Sequence, residues 1–197
     1  ILSDEQVDFL LDTLVEKKKY QTACAVALAI FSGARKSELT RFKVEYFNEE
    51  NIIFDALYKT SEKIKTKGRG KGKFIYKYVL LDFKKYFDLW MEERHRLGVP
   101  DEIEELFVYK DKQGNWQPMK AQTLSTWALS FGKALNVSFY FHCLRHNFTT
   151  ELGRLGFPAE LIRQIVGWES VEMVSVYDDR DVDDLLEDFM NKLKVAV

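Results

Sequence analysis

The sequence predicts a mainly α domain with a small antiparallel β-hairpin sheet. Three observations lead there. Apolar residues recur at helical spacing along most of the chain. Residues 52–81 break that pattern with two strand-like runs around a stretch rich in Lys and Gly. No internal repeat or linker interrupts the 197 residues, so a single domain over 1–197 is expected.

The elements follow in order. Ser3 with Gln6 forms a capping box ahead of Val7, Leu10, Leu11 and Leu14. A second apolar helix spans about 20–31, and Gly33 ends it. A short polar helix starts near Arg35 and carries Leu39 and Phe42, and 48–51 read as a turn. Strands are expected over 52–58 and 74–81, joined as one hairpin by a long basic loop over 65–73. Phe83, Tyr86, Phe87, Trp90 and Met91 make a helical stripe. Residues 98–118 look irregular, with Phe107 and Val108 as buried points. Leu124, Trp127, Ala128 and Phe131 form the next stripe, and Leu144, Phe148, Leu152 and Leu155 another. Pro158 suits the first position of a helix bearing Leu161, Ile162 and Ile165. A last amphipathic helix presents Val182, Leu185, Leu186, Phe189 and Leu193 on one face.

Composition excludes some classes. The apolar share of 46% is that of an ordinary globular chain, and no apolar run approaches membrane-spanning length. Two cysteines, Cys24 and Cys143, make no disulfide framework, so a reducing, cytoplasmic setting is expected. The net charge of -2 does not advertise a nucleic-acid binder, but its distribution does. Between Lys59 and Lys77 stand eight bases and one acid, whereas the tail after Tyr177 has seven acids and three bases.

Four segments hold reactive side chains. Arg35 follows Gly33 in the run Gly-Ala-Arg-Lys-Ser-Glu-Leu. His142 and Arg145 lie three apart on one helical face. Trp168 sits in Gly-Trp-Glu-Ser, and Tyr177 follows nine residues later. Each alone has a bland reading: a solvated helix start, a surface pair, a core indole, a packing phenol. A zinc reading of His142, Cys143 and His146 finds no second ligand cluster to complete it.

Together, in this order and spacing, they resemble the tyrosine recombinase family, the integrases and resolvases of mobile elements. The family's pattern is G-x-R-x-x-E-L, a hairpin Lys, H-x-x-R, a His or Trp, then Tyr. The resemblance spans nearly the whole chain and implies the tyrosine recombinase catalytic-domain fold. It also implies an N-terminal core-binding domain ahead of Ile1. By resemblance the catalytic set is Arg35, Lys59, His142, Arg145, Trp168 and Tyr177. Lys59 precedes Thr60 as in the family's Lys-Thr, but Lys65, Lys67 and Lys71 compete with it. Trp168 stands where most members have His; its indole N–H can donate but cannot shuttle a proton.

The chemistry asks for such groups. Attack on a phosphodiester builds charge on its non-bridging oxygens, and two guanidinium forks match it at any working pH. No metal or other cofactor is then needed. A phenol, ordinarily with pKa about 10, needs a base or a positive field to attack, and His142 is the natural acceptor. The resemblance implies a 3′-phosphotyrosine linkage that a 5′-hydroxyl reseals without ATP. Lys36, Arg41, Lys43, Lys65, Lys67, Arg69, Lys71 and Lys73 are candidates for salt-sensitive phosphate contacts with double-stranded DNA. The family also implies a tetramer at synapsis, with the C-terminal helix docked on a neighbour; folding back on its own domain is the alternative. A type IB topoisomerase and a non-catalytic DNA-binding protein on the same fold are the competing readings.

Overall fold

The computed structural model describes residues 2–66, 73–139, 141–167 and 182–196. Its centre is helix α2 (Tyr20–Ser32), whose run from Ala23 to Ile30 is buried on every side. A helix apolar all round has to be enclosed. Around it pack α1 (Asp4–Glu16), α4 (Lys84–Arg96) and α6 (His142–Arg154). The expected capping box starts α1: Ser3 Oγ accepts from the Gln6 N–H at 3.1 Å, and Gln6 Oε1 accepts from the Ser3 N–H at 2.9 Å. Val7, Leu10, Leu11 and Leu14 face α2 as their spacing requires.

The 52–81 segment is more broken than one hairpin. Strands β1 (Ile52–Ile53) and β2 (Leu57–Lys59) are separated by a turn in which Phe54 and Asp55 adopt left-handed backbone angles. β3 (Ile64–Thr66) and β4 (Lys73–Ile75) form their own two-stranded sheet. β5 (Tyr78–Leu80) then returns to β2, giving the order β1-β2-β5 with Leu57 opposite Leu80 and Lys59 opposite Tyr78. Under this sheet the Phe47 ring packs at a tilt against those of Phe83 and Phe87, at centroid separations of 4.8 and 5.1 Å.

Residues 98–118 are not wholly irregular. They hold a further hairpin, β6 (Val108–Lys110) with β7 (Trp116–Pro118). Its approach is pinned by α4: Trp90 Nε1 donates to the Leu106 carbonyl at 2.9 Å, and Arg94 Nη2 to those of Ile103 and Glu105 at 2.8 and 3.0 Å. These side chains satisfy carbonyls that no regular element would pair.

The last helices complete the domain. α5 (Ala121–Leu135) buries Leu124, Ala128 and Phe131, while Trp127 is half-buried. α7 (Ala159–Val166) starts one residue later than expected: Pro158 is extended and serves as its N-cap. Leu155, placed in the α6 stripe from sequence, caps that helix and is exposed. α8 (Val182–Ala196) buries Leu186 and lays Val182, Leu185 and Phe189 on a second apolar cluster formed by Leu57, Phe157, Leu161 and Ile165. It therefore docks on its own domain. Among the described residues no helix is long and apolar enough to cross a membrane.

Candidate active site

Gly33 places the first arginine. It ends α2 with φ +65°, and a β-carbon there would lie 2.5 Å from Phe148 Cδ1 of α6. Only glycine accommodates both the left-handed angle and the close approach. The chain then runs extended through Arg35, which caps the short helix α3 (Lys36–Leu39). Glu38, buried one turn on, accepts the Arg35 backbone N–H at 2.8 Å. The Gly-x-Arg-x-x-Glu-Leu run is thus a folding unit that fixes where Arg35 leaves the backbone.

The second arginine comes from α6. Arg145 is only 1% exposed, and its fork spans two helix ends. Nη1 donates to the Gly33 carbonyl at 3.2 Å and Nη2 to the Val166 carbonyl, the last of α7, at 3.1 Å. A guanidinium suits a helix C-terminus because the last carbonyls lack partners and carry the negative end of the dipole. Nη1 also lies 4.0 Å from Glu38 Oε1. Burial, then the nearby Arg35 charge, pull the Arg145 pKa down to about 10, with Glu38 opposing. It stays cationic at neutral pH.

Arg35 and Arg145 therefore converge. Burial lowers the His142 pKa, and so do His146, Arg145 and Arg35. His142 opens α6, one turn before Arg145 on the same face, and is exposed where Arg145 is buried. Arg35 and His142 line a cavity of about 520 Å³ with Ser37, Ser125, Phe139 and Phe141. A lowered pKa keeps the imidazole neutral at pH 7, the form that accepts a proton. A reaction that uses His142 as its base should then speed up as pH rises through a value below the ordinary 6.5 and level off above it. A single-turnover rate that keeps rising from pH 7 to 9 would argue against His142 as the base.

The basic candidates divide. Lys59 is ion-paired to Asp183 of α8 and stands over the Tyr76 ring, 4.4 Å from its centroid. Asp183 also accepts from the Tyr78 hydroxyl at 2.8 Å. Lys59 and Lys73 line a different cavity, of about 400 Å³, with Lys63, Tyr76, Arg163 and Asp183. Lys36 Nζ bonds Ser125 Oγ at 2.6 Å, and Arg41 Nη1 donates to the Lys65 carbonyl at 2.6 Å. Lys43 faces acids, with Glu62 at 2.6 Å and Glu104 at 3.6 Å, a setting suited to ion pairing rather than phosphate. Lys65 is exposed on β3, which packs against α3. Trp168, Tyr177, Lys67, Arg69 and Lys71 lie outside the described residues.

One buried neighbour has no place in the sequence-based set. Lys77, between β4 and β5, is fully enclosed, with Nζ 3.4 Å from Glu38 Oε1 and 3.3 Å from the Val166 carbonyl. No local signal marks it: residues 77–80 are all buried, so strand alternation does not set Lys77 apart.

A sequence model of the phage integrase family matches residues 1–183. The chain belongs to the phage integrase family. Among curated relatives of this integrase-family chain, the tyrosine recombinase XerA of Pyrococcus furiosus is 25% identical over 176 residues, covering 89% of this chain and 56% of XerA. The chain thus spans about half the length of that relative. In solved structures the fold is shared with a XerA recombinase at TM-score 0.63 and 20% identity, covering 97% of this chain and 64% of that one. A XerH recombinase bound to its difH substrate matches at TM-score 0.61 and 19% identity, covering 95% and 51%.

Proposed function

We propose that this domain is the catalytic part of a site-specific DNA recombinase that cuts and rejoins strands through Tyr177. The observation that carries the reading is the convergence of two guanidinium groups, Arg35 and Arg145, beside a neutral-leaning imidazole, His142. Two fixed cations next to one base suit a phosphodiester whose charge grows as it is attacked. Arg35 and Arg145 hold the non-bridging oxygens. His142 takes the phenolic proton of Tyr177 as its oxygen bonds to phosphorus. The 5′-oxygen leaves and is protonated by a lysine, and the 3′-phosphotyrosine conserves the bond for resealing. Family membership and the DNA-bound XerH relative support the same reading.

For the lysine we favour the β3–β4 hairpin over Lys59. Thr66, the last residue of β3, helps hold the Glu38 carboxylate ionised beside Arg35, so this hairpin reaches the arginine pocket. Lys59 is instead engaged by Asp183.

The test is a nicked suicide DNA substrate that traps cleaved product. The parent protein should give a denaturant-resistant covalent band, and Tyr177→Phe should give none. A band that persists in Tyr177→Phe moves the nucleophile elsewhere. In the same assay, Lys65→Ala should slow trapping more than Lys59→Ala; the reverse order returns the acid role to Lys59.

A further inference from the structure

Among the described residues the Lys77 ammonium is an unusual buried group. Lysine is rarely enclosed completely unless it is paired, because a desolvated charge without a counterion is costly. Lys77 is 0% exposed, and its surroundings explain how that is tolerated. Nζ meets Glu38 Oε1 and the Val166 carbonyl; Arg145 donates to that same carbonyl and lies 4.0 Å from that same carboxylate oxygen. The four groups form a closed ring: carboxylate, ammonium, helix-end carbonyl, guanidinium. The backbone anchors Lys77 as well, since its N–H donates to Thr60 Oγ1 and its carbonyl accepts from the Thr60 N–H, both at 3.0 Å.

We infer that Lys77 is a positioning residue for strand cleavage: it shares Glu38 and the Val166 carbonyl with Arg145 and so holds both arginines in phosphate-binding register. This rests on the recombinase reading above. The physical argument concerns competition for one carboxylate. Glu38 fixes the Arg35 backbone through its N–H and attracts Arg145 through its charge. With Lys77 present, part of the carboxylate's field is already matched. Without it, the remaining buried cation is Arg145, which would be drawn toward Glu38 and away from a bound phosphate. The Val166 carbonyl would also lose one of two donors, loosening the end of α7, which leads directly toward Trp168 and Tyr177 in the chain.

The titration pattern agrees with the geometry. Burial alone would raise the Glu38 pKa, yet Lys77, the Arg35 N–H, the Thr66 hydroxyl and Arg145 together bring it below its ordinary value. Burial lowers the Lys77 pKa, Glu38 opposes, and Arg145 and Arg35 add to the lowering. Lys77 and Glu38 thus depend on each other for their charges. Neither faces solvent, so Lys77 serves the reaction through Glu38 and Arg145 rather than by touching DNA.

The experiment compares Lys77→Met, Lys77→Arg, Glu38→Gln and the Lys77→Met/Glu38→Gln pair with the parent. Single-turnover covalent trapping, DNA affinity and melting temperature are measured on each. Lys77→Met should cleave about 30–100-fold more slowly with DNA affinity within about threefold, because the loss falls on the transition state. Lys77→Arg should recover part of that rate. In the Glu38→Gln background the Lys77→Met change should add little, since residues acting through one group are non-additive. If Lys77→Met alone does not fold, the paired variant measured against Glu38→Gln still tests the inference: little added loss is expected, and a loss of about 30-fold or more overturns it. Cleavage by Lys77→Met within threefold of the parent overturns the inference. So does an affinity loss as large as the rate loss, a full multiplicative effect in the pair, or a well-folded Lys77→Arg that recovers nothing. A readout independent of cleavage is the Arg145 Nε–H resonance by NMR, which should move in Lys77→Met and return toward its position in Lys77→Arg. An unmoved resonance overturns the inference even if the parent forms no covalent band, a result that would defeat the recombinase reading itself.

Discussion

Arg145→Lys should lower single-turnover strand cleavage by about 100–1,000-fold, the usual cost of losing one transition-state donor. Charge is kept, so the effect isolates geometry. The buried guanidinium reaches Gly33 O and Val166 O from opposite ends of its fork, and the proposed recombinase reaction gives it a phosphate oxygen as well. An ammonium has one nitrogen and cannot span two helix ends and bind a phosphate oxygen at once. DNA affinity, set mainly by many phosphate contacts elsewhere, should change far less. Arg145→Ala should also destabilise the fold, because it empties a buried site and takes a donor from the Gly33 and Val166 carbonyls. The checks are trapping on the suicide substrate, a gel-shift titration and a melting curve. Cleavage by Arg145→Lys within tenfold of the parent would mean that the fork is structural only.

The second large effect is expected at Gly33. Gly33→Ala should cost about 2–5 kcal/mol, from about 1–2 for a left-handed residue bearing a β-carbon and about 1–3 for overpacking. The added carbon would sit 2.5 Å from the Phe148 ring, which is itself fully buried and has little room to retreat. For a chain of 197 residues that corresponds to a fall in melting temperature of roughly 4–20 °C. Activity should fall beyond what instability explains, since the same peptide sets the Arg35 direction and offers Arg145 its carbonyl. An unchanged melting temperature would show that α2 and α6 separate more easily than their contact suggests. Together the two variants test one idea, that the phosphate clamp is built from helix ends held at close quarters.

Much of this was legible beforehand, for identifiable reasons. Val7, Leu10, Leu11 and Leu14 declare a helix because their spacing matches 3.6 residues per turn. Gly33 declares a stop because a left-handed cap favours glycine. The arginines and His142 stand in an order that resembles a known family, and the structure brings those three together. The hairpin was harder. Its strands are two or three residues long, too short for alternation to mark their ends, and the turn at Phe54 and Asp55 uses residues that seldom take positive φ. β6 and β7 were missed because Trp90 and Arg94, distant in sequence, satisfy the backbone leading into them.

The sequence by itself determined the helical periods, the glycine stop and the resemblance to a family, because spacing and residue type are local properties. Which lysine is buried, which is exposed on β3 and which is tied to Asp183 was decided only by the tertiary structure. Eight bases crowd into 59–77, and nothing local separates them. Their fates depend on what arrives from elsewhere: Glu38 and the end of α7 enclose Lys77, while α8 folds back to reach Lys59. A charge takes its role from the low-dielectric surroundings and partners that surround it in space, and those are assembled by long-range packing.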